Sequence, residues 1–113
     1  MLQGGKYLAE KHTPFLNSLL ESSGKSRIKL TLVGHSLGAG IGAIAGLEFM
    51  DQPNFDVEII GFGSPALLSQ DLSEQLKDCM TTVVADDDVV PRLSAATVVN
   101  AMLDVMEYDY LPK

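Results

Sequence analysis

The sequence is poor in several kinds of residue. Its 113 residues hold one cysteine, no tryptophan, two histidines, and 8 lysines and arginines against 15 aspartates and glutamates. A lone Cys79 cannot close an intramolecular disulfide, so an oxidising compartment is not demanded. The formal net charge of −7 leaves no basic stripe to neutralise phosphates, which argues against nucleic acid as a partner and against holding an anionic membrane by charge. No run approaches the roughly 18 apolar residues of a bilayer span. Met1–Lys6 leads into polar and charged residues instead of the apolar core of a signal peptide. Repeats and low-complexity tracts are missing too, and nothing in the chain assigns a compartment.

What remains is ordinary globular material, 46% apolar and 20% charged. At 113 residues the chain is one domain at most, with enough length for a modest core. Tyr7, Leu8, Phe15, Leu16, Leu19 and Leu20 recur at helical spacing, with Pro14 predicting a kink or a helix start near Thr13. Ser22–Ser26 reads as a loop. Ile28–Val33 becomes continuously apolar, the pattern of a buried parallel strand. A helix apolar nearly all round is predicted over Leu37–Met50, and it should be buried. Gly42 and Gly46, four apart on that helix, predict close approach of a neighbouring element. A second strand follows at Val57–Phe62 and runs into the turn Gly63-Ser64-Pro65. A short amphipathic helix spans Asp71–Cys79, and a third strand spans Thr81–Ala85. The last helix runs from about Ser94 to Met106, with Ala95, Val98, Val99, Met102 and Val105 as its inner side. The tail beyond Met106 shows no pattern.

Strands alternating with helices imply an α/β fold, with about three parallel strands, right-handed crossovers and helices on both faces. Chemistry in such sheets gathers beyond the carboxyl ends of the strands. Three polar sites follow strands here: Ser36, Ser64 and the run Asp86-Asp87-Asp88.

The chemistry centres on Gly34-His35-Ser36-Leu37-Gly38. An apolar strand ends in G-x-S-x-G and a small-residue helix starts at once, which is the form of a nucleophile elbow. A side chain two residues before or after such a serine should clash, so Gly34 and Gly38 are expected to supply the room. The Leu37 N–H, at the positive end of the helix, is the candidate oxyanion donor. The plainer reading is a tight strand-to-helix turn of any α/β protein. A serine nucleophile also needs a base, and the base needs an orienting acid. The acid is sought at a later strand end, where the three aspartates lie. No histidine follows: His12 and His35 both precede Ser36.

Gly34-His35-Ser36-Leu37-Gly38-Ala39-Gly40, Gly61-Phe62-Gly63-Ser64-Pro65 and Asp88-Val89-Val90-Pro91-Arg92-Leu93 together resemble the class 3 lipases. This is the fungal triacylglycerol lipase-like group, which includes the diacylglycerol lipases. The resemblance runs from about Gly4 to Leu93 and implies an α/β-hydrolase fold. It makes Ser36 the nucleophile and Asp88, three residues before Pro91, the triad acid. Asp86 and Asp87 are the alternatives for that role and read otherwise as solvated or capping charges. Ser64-Pro65 resembles a turn that shapes a pocket floor. His35 resembles a structural histidine of the elbow, and His12 reads as a solvated helix residue. No metal or other cofactor is implied.

The implied substrate is an acylglycerol or other lipid ester, with a lean towards diacylglycerol lipase-like members and peripheral membrane association of a full-length protein. Complete members carry strands ahead of this region and a histidine beyond the aspartate. The chain is therefore expected to be a single partial domain, 1–113, lacking the amino-terminal strands and the histidine segment. Weak or no ester hydrolysis is expected from it alone.

Two other classes are open. Gly38-x-Gly40-x-x-Ala43, with Asp56 or Glu58 further on, resembles a dinucleotide fingerprint, but it starts four residues late, inside the helix. A non-catalytic, lipase-derived interaction module is the other, self-associating through exposed sheet edges.

Overall fold

A computed structural model describes residues 1–66 and 68–107. Residues 108–113, within the patternless tail, lie outside the described residues. The elements run α1 (Leu2–Ser23), β1 (Ile28–His35), α2 (Leu37–Met50), β2 (Phe55–Phe62), α3 (Gln70–Leu76), β3 (Met80–Val83), a 3-10 turn (Val90–Arg92) and α4 (Ala95–Glu107).

Helix α1 passes through Pro14 without starting there. Proline removes one backbone donor from the helix ladder, and the hydroxyl of Thr13 donates to Ala9 O at 2.8 Å in the turn just before it. The helix also begins earlier than its apolar spacing predicts. Gly5 is packed so tightly against α2 that a Cβ there would lie 2.5 Å from Ile44 Cβ, so tertiary contact holds a segment of weak helix propensity. Gly24, at φ 66°, ends α1 with its N–H on Glu21 O.

The three strands are parallel in the order β1-β2-β3. Right-handed crossovers that advance in one direction put their helices on one side of a sheet. The buried cluster reflects this: Ala9 from α1, Ala43, Ala45 and Phe49 from α2, Phe55, Val57 and Ile59 from β2, and Leu76 from α3. Phe49 and Phe55 meet edge to face, with ring centroids 5.7 Å apart. At Gly46 there is no space for a Cβ beside the Ile59 side chain, whereas a Cβ at Gly42 would meet nothing. Of the two glycines expected to allow close approach, Gly46 does so and Gly42 does not.

The expectation of helices on both faces is therefore corrected. Among the described residues one face is covered, and β1 alternates half-buried with exposed instead of being buried throughout. The open face carries Lys29, Thr31 and Glu58 towards the amino ends of the strands. There the Lys29 ammonium lies 2.9 Å from a Glu58 oxygen that also accepts from the Thr31 hydroxyl. The hydrogen bond and charge of Lys29 hold the Glu58 carboxyl below its ordinary range, and Glu58 raises Lys29 in return. Towards the carboxyl ends the same face carries two rows in register, Val33-Ile60-Thr81 and His35-Phe62-Val83.

Helix α4 departs furthest from expectation. Its predicted inner residues Val98, Val99, Met102 and Val105 are all exposed, and none of its described side chains is buried.

Phe49 is 1% exposed, so Phe49→Ala should cost about 3–5 kcal/mol in urea unfolding. Phe15→Ala, at an exposed position, should change stability by about 0.5 kcal/mol or less. Because the folded Glu58 carboxyl is depressed, the stabilisation it lends exists above the unfolded carboxyl range and is lost as pH falls through the folded value. Lys29→Met should raise the Glu58 titration midpoint towards the ordinary value in carboxyl-detected NMR.

Candidate active site

The site is built where β1 turns into α2. Ser36 has φ 51° and ψ −119°, and it is the one non-glycine residue with positive φ among the described residues. Such a conformation costs of order 1–3 kcal/mol and persists only where its surroundings over-determine it. Here the Ser36 N–H donates to Phe62 O at 2.9 Å, while the Ser36 carbonyl accepts from Ala39 at 3.0 Å and Gly40 at 3.3 Å. The backbone is thus tied to β2 on one side and to α2 on the other. Although Ser36 occupies the N-cap position, its hydroxyl makes no capping bond. The Leu37 N–H heads α2, where helix geometry provides no intrahelical acceptor.

Of the two elbow glycines, Gly34 is required and Gly38 is not. A Cβ at Gly34 would lie 2.5 Å from Gly38 O and 2.6 Å from Ala39 N, both rigid backbone atoms. At Gly38 a Cβ would meet nothing within 4 Å. The expected symmetry fails because the chain has already entered α2 by Gly38, and helical side chains there point outward.

The second half of the site is the loop after β3. Asp88 is half-buried while Asp86 and Asp87 are exposed. One Asp88 carboxylate oxygen accepts the Val90 N–H at 3.0 Å. The other faces Gly63, where a Cβ would lie 2.5 Å from it and 4.0 Å from His35 Nε2. Gly63 itself has φ 57°, and its N–H bonds Val83 O at 2.8 Å. Arg92 braces the loop by donating to the carbonyls of Asp86, at 2.9 Å, and Asp88.

Ser36, His35 and Asp88 therefore meet around the Phe62–Gly63 segment, which bonds one and faces the other two. His12 lies elsewhere: it is exposed and shares a surface recess with Phe49. Phe49 is at the opposite end of α2 from Ser36, roughly 20 Å away at 1.5 Å per residue. Ser64 and Pro65 line an open pocket of about 260 Å³ with Met80, Thr82 and Pro91. Gly38, Gly40 and Ala43 all fall inside α2, so they form no phosphate-binding turn. Glu58, one of the two acids of that reading, is engaged by Lys29.

The sequence reading places Gly63 and Arg92 within its motifs but gives neither a role at the site. Two glycines bracketing Phe62 at a strand end, and an arginine four residues past Asp88, were the available signals.

Residues 1–98 match the family model described as Lipase (class 3). The chain is 36% identical over 95 residues to human diacylglycerol lipase-alpha, covering 80% of this chain and 9% of that protein. It is 43% identical over 68 residues to mouse diacylglycerol lipase-beta, covering 58% of this chain and 10% of that protein. The chain thus spans about a tenth of the length of the curated relatives it matches. Among solved structures, the crystal structure of M37 lipase superposes with a TM-score of 0.56 at 20% identity, covering 76% of this chain and 28% of that one. That likeness establishes the fold as part of an α/β-hydrolase.

Three alanine variants separate the glycines. Gly34→Ala should destabilise by about 3 kcal/mol or more, since backbone must move. Gly38→Ala should be neutral or stabilise by up to about 1 kcal/mol. Gly63→Ala should cost about 1–2 kcal/mol in backbone strain and displace Asp88, seen by NMR as an upfield shift of the Val90 amide proton.

Proposed function

The chain belongs to the class 3 lipase family, and on that premise we propose that it carries the nucleophile and acid of a serine esterase acting on acylglycerols. Ser36 is the nucleophile, the Leu37 N–H is one oxyanion donor and Asp88 is the acid that orients the base. Gly34, His35 and Gly38 complete the elbow. The single observation that carries this reading is Ser36 itself. Its positive φ, with a hydroxyl that makes no capping bond at the head of α2, is a strain that a plain strand-to-helix turn does not need.

In the reaction, Ser36 Oγ attacks the ester carbonyl carbon and passes its proton to a base. The carbonyl oxygen takes up negative charge against the Leu37 N–H and the α2 dipole. Collapse expels the glycerol oxygen, which receives the proton, and water then releases the fatty acid from the acyl-serine. The Asp88 oxygen that faces Gly63 is the one available to the base, because the other is held by Val90 N–H. Diacylglycerol-type esters are the favoured substrates, from the names of the relatives.

No histidine follows Asp88 in the 113 residues, and His12 lies far from Ser36. The serine is therefore not activated by a base of the usual order, and this chain alone hydrolyses esters poorly. In serine triads, losing one member leaves only about 10³–10⁴-fold catalysis over water. A second reading is a module with lipase ancestry and no chemistry.

A fluorophosphonate probe distinguishes them. Labelling should be negligible in plain buffer and should rise when imidazole is added as an external base, with the increase abolished in Ser36→Ala. Fast stoichiometric labelling without imidazole would show a base within the chain. Failure of imidazole to raise labelling would leave the inert module.

A further inference from the structure

Three of the four polar atoms of Asp88 are engaged within its own loop. Its N–H donates to Ala85 O at 2.7 Å, and its Oδ1 accepts the Val90 N–H at 3.0 Å. Its carbonyl accepts from Nη1 of Arg92. The fourth atom, Oδ2, is the one that faces Gly63.

Arg92 holds two carbonyls at once. Nη1 donates to Asp88 O and Nη2 donates to Asp86 O, the latter at 2.9 Å. Donors on the two arms of one planar group cannot move independently, so the two carbonyls are set at a fixed spacing. A lysine ammonium, a single point of charge, imposes no such spacing. The backbone from which the guanidinium reaches back is itself anchored. The Arg92 N–H donates to Val89 O at 3.0 Å, and Arg92 O accepts from the Thr97 hydroxyl of α4 at 3.3 Å. The fork therefore joins the head of α4 to the turn that carries the acid.

The charge of Arg92 is directed in the same way. Among the described residues it forms no ion pair, although Asp86, Asp87 and Asp88 are its close neighbours in the chain. A guanidinium placed against the Asp88 carboxylate would compete with a protonated base for the same oxygen. On the carbonyls it holds the backbone and leaves that oxygen to the base.

We propose that Arg92 is a positioning residue for the acid. By clamping the carbonyls of Asp86 and Asp88 it fixes the direction in which Asp88 Oδ2 is presented to a base. It acts through Asp88 alone, and the inference rests on the reading of Asp88 as the triad acid.

The test is a double-mutant cycle on the full chain, reading the imidazole-assisted labelling of Ser36 by the fluorophosphonate probe. Asp88→Asn keeps an oxygen for the Val90 N–H and removes the carboxylate. Arg92→Ala should slow labelling about tenfold or more, the scale on which a misplaced catalytic group is felt. In the Asp88→Asn background the same change should have no further effect, because residues that act as one unit are not additive. Arg92→Lys should recover only part of the loss. A staple that merely kept the fold would slow labelling by the same factor in both backgrounds, and that result would overturn the proposal. If Asp88→Asn slows labelling and Arg92→Ala does not, the reading of Asp88 stands and the inference falls. Labelling that ignores Asp88→Asn would remove Asp88 as the acid, and the inference with it.

The Val90 amide gives an arm that needs no labelling. In Arg92→Ala it should move upfield and exchange faster, while the Ile59 amide, bonded to Cys79 O at 2.8 Å in the core, keeps its protection. If Ile59 loses protection too, Arg92→Lys decides, with a smaller shift expected at Val90 and none at Ile59. A Val90 amide that stays in place would overturn the proposal even if Ser36 is never labelled.

Discussion

The contact between the backbone at Gly34 and the backbone at Gly38–Ala39 is the constraint on which the rest of this structure depends. It forces β1 to turn into α2 within two residues, and it leaves Ser36 to absorb the turn at φ 51°. Two ordinary hydrogen-bond systems then hold that strain: β2 through Phe62 O and α2 through the first-turn amides. A side chain at Gly34 would meet the backbone of Gly38 and Ala39 and push the start of α2, with the serine at its head, away from β1.

The strand order sets the layers. With β1, β2 and β3 adjacent in chain order, α2 and α3 fall on one side, where Phe49, Ile59 and Leu76 form the fully buried centre. The opposite side carries a Lys29–Glu58 pair at one end and, at the other, Val33, Ile60, Phe62 and Val83 with Thr81 and His35 among them. The site lies at the boundary of these two regions. His35 and Phe62 belong to the open face and Ser36 to the start of α2, and Asp88 is brought in by a loop that Arg92 braces from outside.

Much of this was legible in the residues. The elbow follows from an apolar strand meeting G-x-S-x-G, and the three strands follow from short β-branched runs, because both are local patterns. Asp88 is singled out from Asp86 and Asp87 only by the family resemblance, and in the structure it is the half-buried one of the three. What could not be read depends on contacts across the chain. Gly38 looked equivalent to Gly34, yet only the latter touches backbone. Gly42 looked equivalent to Gly46, yet only the latter faces Ile59. The apolar stripe of α4 promised a buried side, because periodicity reports which side of a helix is apolar and not what covers it. The glycines around Phe62 mark a turn, but not that Gly63 meets Asp88, which is 25 residues away in the chain.

The central claim is the proposal that Ser36, held at a strained φ at the head of α2, is a nucleophile that no histidine of these 113 residues deprotonates. The pH profile of Ser36 acylation by an activated ester, measured as the difference between wild type and Ser36→Ala, tests this most directly. Without a base in the chain, the logarithm of the rate should climb with a slope of about one through neutral pH, as hydroxide does the work. A plateau with an inflection near the ordinary histidine value of about 6.5 would contradict it, and would place a working base in this chain.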